Sequence, residues 1–153
     1  MLRYLRVSCP YFHPRAPRFD AGDPQSAMLP LGGAWSGVCR AVPGDAWQPE
    51  AADVERRCNL GYARGVCPRF PDHGGPDAIR FTVSSDDGAV LRLYYVAERD
   101  HHPYAHGPIE YSRIAAIEPP SANCEPLDAQ ARAYAASYLR RKFEASGQAV
   151  ASS

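Results

Sequence analysis

Two hydropathy regimes divide the chain. From Asp77 onward, apolar positions recur with regular periods. In AIRFTV, Ile79, Phe81 and Val83 alternate with Arg80 and Thr82, the period of a half-buried strand. SSDDG (84–88) reads as a turn. AVLRLYYV (89–96) reads as the partner strand, apolar on both faces apart from Arg92. ERDHHPYAHG (98–107) reads as a polar loop, and PIEYS begins a third strand. Sequential strands with short links predict an antiparallel meander. A helix that opens near Pro126 carries Leu127, Ala131, Tyr134, Ala135, Tyr138 and Leu139 as an apolar stripe able to cover one sheet face. Arg140, Arg141 and Lys142 suit its last turn. Gly147 predicts its end, and AVASS a frayed tail.

Up to about residue 48 the pattern is different. CPYFHPRAPRF, DAGDPQ, LPLGGAWSG and VPGDAWQP are punctuated by proline and glycine, with no sustained period of 2 or 3.6. Only RYLRVS reads as a short strand, and it delivers Cys9 at its end. A long irregular segment is unusual in a small protein unless something ties it down. Tyr11, Phe12, Phe19, Leu29, Leu31, Trp35 and Trp47 argue that this one wraps against a centre. A helix is predicted from Pro49, with Glu50 and Asp53 in its first turn. Val54, Cys58 and Tyr62 follow at i, i+4 and i+8, which turns Cys58 inward. Gly61 or Gly65 can close the helix, and Cys67-Pro68 lies outside it.

The expected fold is α+β in a single domain, 1–153. Residues 1–76 form a loop-rich N-terminal half and helix around a four-cysteine site. Residues 77–146 form the three-stranded antiparallel meander and C-terminal helix, and 147–153 the tail. A chain of 153 residues with 45% apolar residues can build one core without staples. Seventeen basic and 17 acidic residues cancel, so no global charge draws the chain to nucleic acid or an anionic membrane. MLRYLRVSCPYF has no apolar run of leader length, and every apolar run falls short of the ~18 residues of a spanning helix. A cytoplasmic protein without membrane partners is the expectation. Its reducing surroundings disfavour structural disulfides.

That expectation gives the five cysteines their interest. Cys9, Cys39, Cys58 and Cys67 are separated by 29, 18 and 8 residues, and Cys124 lies far beyond. Thiolates bind soft metals, and four are the usual complement of an iron–sulfur cluster or a structural zinc. Zinc sites usually take cysteines in pairs two to four residues apart, and this chain has no such pair. Four isolated cysteines, two followed by proline, suit a larger body gripped at its corners. A 4Fe–4S cluster is favoured over zinc. Plain buried thiols are the competing reading, and Cys58 on an apolar helix stripe fits it.

At CNLGYARGVCPRFP, with CPYF upstream and PLGGAWSGVC between, the chain resembles an uncharacterised family of small bacterial cysteine-containing proteins. The match runs through Cys9, Cys39, Cys58 and Cys67, DAIRF (77–81), HPYAHG (102–107) and SYLRRK (137–142). The resemblance implies a coherent fold over most of the chain and carries no established activity.

Other candidates are weaker. His101, His102 and His106 cluster; His102 and His106 can add metal ligands, although such histidines more often cap turns or face water. Asp86 and Asp87 before Gly88 are turn formers rather than a catalytic pair. LGG (31–33) lacks the strand–loop–helix setting of a nucleotide site, and no GxSxG or HExxH occurs. Cys124 precedes a helix, a place that can activate a thiol, yet a bland thiol is the commoner case. Arg3, Arg6, Arg15 and Arg18 with Tyr4, Tyr11 and Phe12 have the composition of a single-strand nucleic-acid surface, and equally of a solvated rim. The expected function is an iron–sulfur cluster-binding protein with Cys9, Cys39, Cys58 and Cys67 as ligands. Its role would be structural, electron-transferring or redox-sensing, with no catalytic residue assigned. The alternative is a zinc-stabilised interaction module contacting a protein or nucleic acid.

Overall fold

The computed structural model describes residues 7–18, 29–42, 44–59, 63–64, 66–71, 74–112 and 117–151. It is a mixed α+β fold of two antiparallel three-stranded sheets and a long C-terminal helix. The first sheet orders β1 (Phe12–Pro17), β2 (Trp35–Val42) and β3 (Asp45–Trp47). The second orders β4 (Ala78–Asp86), β5 (Leu91–Arg99) and β6 (His102–Tyr111).

The first sheet corrects the expectation of a loop-rich N-terminal half. Its strands were hidden by their composition. β1 contains Pro14 and Pro17, which cannot donate to a ladder, and it lies on the sheet edge, where that is tolerated. A register shift falls between Pro14 and Ala16. β2 alternates between its two faces as a strand must. Its inward positions, however, are Trp35, Gly37, Cys39 and Ala41, mostly too small to register as hydrophobic. Gly37 has no substitute: a Cβ there would stand 2.2 Å from the His13 carbonyl oxygen of β1.

The second sheet is the expected meander. Asp87 accepts the N–H groups of Ala89 and Val90, and Asp86 accepts that of Gly88, so both act in the β4–β5 turn. Residues 98–107 depart from the expected polar loop. β5 runs to Arg99, a tight turn places Asp100 and His101 at positive φ, and β6 begins at His102. Polar outward positions masked a strand whose other face packs inward.

The expected helix at Pro49 starts two residues later. One α turn, α1 (Ala51–Asp53), passes into a π-helical turn, Val54–Cys58, in which the Asn59 N–H reaches the Val54 carbonyl. Val54 and Cys58 are buried, as their spacing requires. Tyr62, expected on the helix stripe, and Gly61 and Gly65, expected to end the helix, lie outside the described residues, as does most of RYLRVS.

The C-terminal helix, α2 (Pro126–Ala151), opens where expected but passes Gly147 and takes in most of the tail. It has two buried flanks rather than one stripe. Tyr134 stacks on Phe81 of β4, and Tyr138 and Lys142 reach Asp86. Lys142 first and Tyr138 next hold the Asp86 carboxyl down at about 2. Toward the first sheet, Ser137 accepts the Trp35 indole N–H at 3.0 Å, and the Arg141 guanidinium donates to the Gly32 carbonyl. Ala129, Ala131, Ala133 and Ala135 are fully buried, so the helix lies close to its neighbours on both flanks.

His13 is also fully buried. Its Nδ1 accepts from Arg15 and its Nε2–H donates to the Cys124 carbonyl, the pattern of a neutral ring. Burial is the main force that lowers its pKa, with Arg40 and Arg15 adding to it. Below about pH 6.5 the unfolded chain therefore takes up a proton that the folded one refuses, and stability falls with pH. The melting temperature is expected to drop between pH 7 and pH 5. A His13→Gln variant should show a shallower drop; an identical one would remove His13 from the account.

Candidate metal centre

Three sequence-predicted ligands come from different local devices. Ser8 forms an isolated bridge with Ile79, its N–H 2.8 Å from the Ile79 carbonyl and the return bond 2.9 Å. The chain then leaves the second sheet at Cys9 and enters the first at Phe12, so Cys9 stands at the junction of the two. Cys39 lies on central strand β2, paired with Phe12 and with Trp47. The π turn ends on Cys58. Widening of that turn allows the Cys58 carbonyl to accept the Cys9 N–H at 2.9 Å.

Cys67 arrives on a turn. Its N–H bonds the Ala63 carbonyl at 2.7 Å, and its own carbonyl takes the Phe70 N–H. Phe70 meets Tyr11 edge to face at 5.5 Å, and Arg69 covers the Trp47 ring at 4.5 Å. The Cys67 turn is thereby pinned to the Cys9 turn on one side and to β3 on the other. Cys9, Cys39 and Cys58 are buried and Cys67 is half-buried. All four are free thiols.

These four segments lie close enough for their thiols to act on one another. Burial is the largest force raising the Cys9 thiol. The Tyr11 backbone N–H opposes it, and negative charge on Cys58, Cys39 and Cys67 adds to it. Burial likewise pushes Cys58 up to about 12, with Cys39 and Cys67 contributing next. In this state the Cys9 and Cys58 sulfurs are protonated at neutral pH. Among the described residues, no three His, Cys, Asp or Glu side chains stand in a geometry that could hold a metal ion. The four cysteines are electrostatic neighbours without being arranged as ligands.

The chain gives no match to any protein-family model, curated protein or solved structure. The reading of the centre therefore rests on its own chemistry.

Two buried amides, neither suggested by the hydropathy pattern, fix the centre. Gln130 of α2 is fully buried. Its Nε2 donates to the Cys9 and Phe12 carbonyls, both at 2.8 Å, and its Oε1 accepts from the Ser8 hydroxyl at 2.5 Å. Asn59, directly after Cys58, accepts the Leu31 N–H at 3.2 Å and donates to the Gly33 carbonyl at 2.9 Å. One amide holds the turn that carries Cys9; the other holds the exit from Cys58. A glutamine among alanines carries no local signal of this kind, because its partners are 118 to 122 residues away.

The other candidates lie apart. Cys124 is half-buried, its Sγ 3.6 Å from the Ser121 hydroxyl, and it is not among the groups that shift Cys9 or Cys58. Its carbonyl is the active part, accepting from His13 and Arg40. His102 and His106 are exposed on β6, and the His106 Nδ1 is engaged with the Tyr94 hydroxyl. Arg15 lies on the edge strand β1 and Arg18 follows it; Arg3, Tyr4 and Arg6 lie outside the described residues. No helix among the described residues is long and apolar enough to cross a membrane.

Proposed function

We propose that the protein binds an iron–sulfur cluster of the 4Fe–4S type through Cys9, Cys39, Cys58 and Cys67. The observation that carries this reading is the gathering of four thiols, from four separate segments, into mutual electrostatic range at the junction of the two sheets. Cys39 and Cys67 raise the pKa of buried Cys9 and Cys58, so the four are poor neighbours as thiolates unless a cation lies among them. A metal centre supplies that cation, and its binding releases the thiol protons. Single cysteines delivered by a turn, a strand, a π turn and a second turn suit a body with four corners better than one tetrahedral ion. The four thiols that would hold the cluster sit on segments held by the backbone bonds already described. Cys67 is half-buried, so a cluster held there would lie near solvent, which suits electron transfer or redox sensing.

Anaerobic purification followed by reconstitution with iron and sulfide tests this. The expected product is brown and contains about four iron and four sulfide per chain. A colourless, iron-free product after reconstitution would sink the reading. Zinc without iron would instead identify a zinc-stabilised module.

A further inference from the structure

A cleft of ≈ 750 Å³ opens where the two sheets meet the N-terminal end of α2. Tyr11, Ile79, Tyr95 and Tyr104 form much of its wall. Its size and its largely apolar, aromatic lining are those of small-molecule sites. Among the described residues, two formal charges border it, Arg40 and Glu125. Glu125 is exposed, so water and salt screen it. Arg40 is half-buried, and its Nη1 and Nη2 donate to the Cys124 carbonyl at 3.0 Å and the Ala122 carbonyl at 2.5 Å. Neutral carbonyls orient the guanidinium without cancelling its charge, and no described carboxylate pairs with it. The cleft thus offers one oriented cation beside three phenol rings. A phosphate would require more: no second cation lines the cleft among the described residues, and Pro126 removes a backbone N–H from the helix start.

We propose that this cleft binds a small aromatic carboxylate, its ring among Tyr11, Tyr95 and Tyr104 and its carboxylate on Arg40. Planar rings stack on tyrosine, and a guanidinium matches a carboxylate with paired N–H groups. The proposal stands whether or not the cysteines hold metal. The probe is 1-naphthoate, titrated into the full chain and followed by NMR chemical shifts, with neutral 1-naphthalenemethanol as its partner. One naphthoate per chain is expected, bound roughly tenfold or more tighter than the alcohol. Arg40→Gln keeps an amide donor for the carbonyls and should erase that preference. Tyr104 is 53% exposed, so Tyr104→Ala should leave the fold intact and weaken both probes several-fold. If Arg40→Gln unfolds, the acid-to-alcohol ratio and Tyr104→Ala decide. Equal binding of acid and alcohol, no binding at millimolar concentration, or indifference to Tyr104→Ala would each overturn the proposal.

Discussion

Replacing Gln130 with leucine is expected to destabilise the protein by about 2–4 kcal/mol. The substitution keeps most of the volume, so little of the loss comes from a cavity. It comes from the Phe12 carbonyl, which loses the Gln130 donor, and from the Cys9 carbonyl, which is left with the longer bond from the Phe12 N–H at 3.1 Å. Each unsatisfied group costs about 1–3 kcal/mol. The Ser8 hydroxyl loses one partner but keeps the Ile79 carbonyl at 3.2 Å, which moderates the damage there. Against a typical total stability of about 5–15 kcal/mol, this is a large fraction. Urea unfolding of the two proteins measures it. A difference below about 1 kcal/mol would mean that water replaces the amide and that the Cys9 turn does not depend on α2.

The second large effect concerns metal. Serine in place of Cys9, Cys39, Cys58 or Cys67 is expected to lower iron retention about tenfold or more after reconstitution, because a neutral hydroxyl is a poor soft-metal ligand. Cys124→Ser is the control and should retain full iron, since that thiol is not among the groups that act on Cys9 or Cys58. Circular dichroism of each metal-free variant separates a lost ligand from a lost fold. Cys67 is the most informative position, being half-buried, so its substitution places no new polar group deep in the core. Four variants that keep their full iron would remove the centre from consideration, even if Gln130 behaves as expected.

The second sheet and the start of α2 were legible because their signals are local. Ile79, Phe81 and Val83 alternate, Asp86-Asp87-Gly88 turns, and Pro126 opens a helix, all within a few residues. The first sheet was not legible. Its inward row on β2 includes Gly37, Cys39 and Ala41, and its edge strand carries prolines. Those residues suit a strand only beside a particular neighbour: Gly37 because the His13 backbone approaches it, Pro14 because the edge has no partner to disappoint. The same limit hid the second flank of α2. Alanines at 129 and 133 do not look like a packing face until a sheet approaches them.

The sequence by itself determined which residues have the chemistry of a soft-metal site, that Cys58 faces inward, and that Cys124 stands apart in the chain. It could not determine that four segments so far apart in sequence come together. That was decided in three dimensions, by the Ser8–Ile79 bridge, the Cys9–Cys58 backbone bond, the Tyr11–Phe70 contact and the two buried amides. Each joins residues whose partners are set by packing of the whole chain. Local propensity has no term for such long-range bonds, and they become strong only when burial has removed competing water.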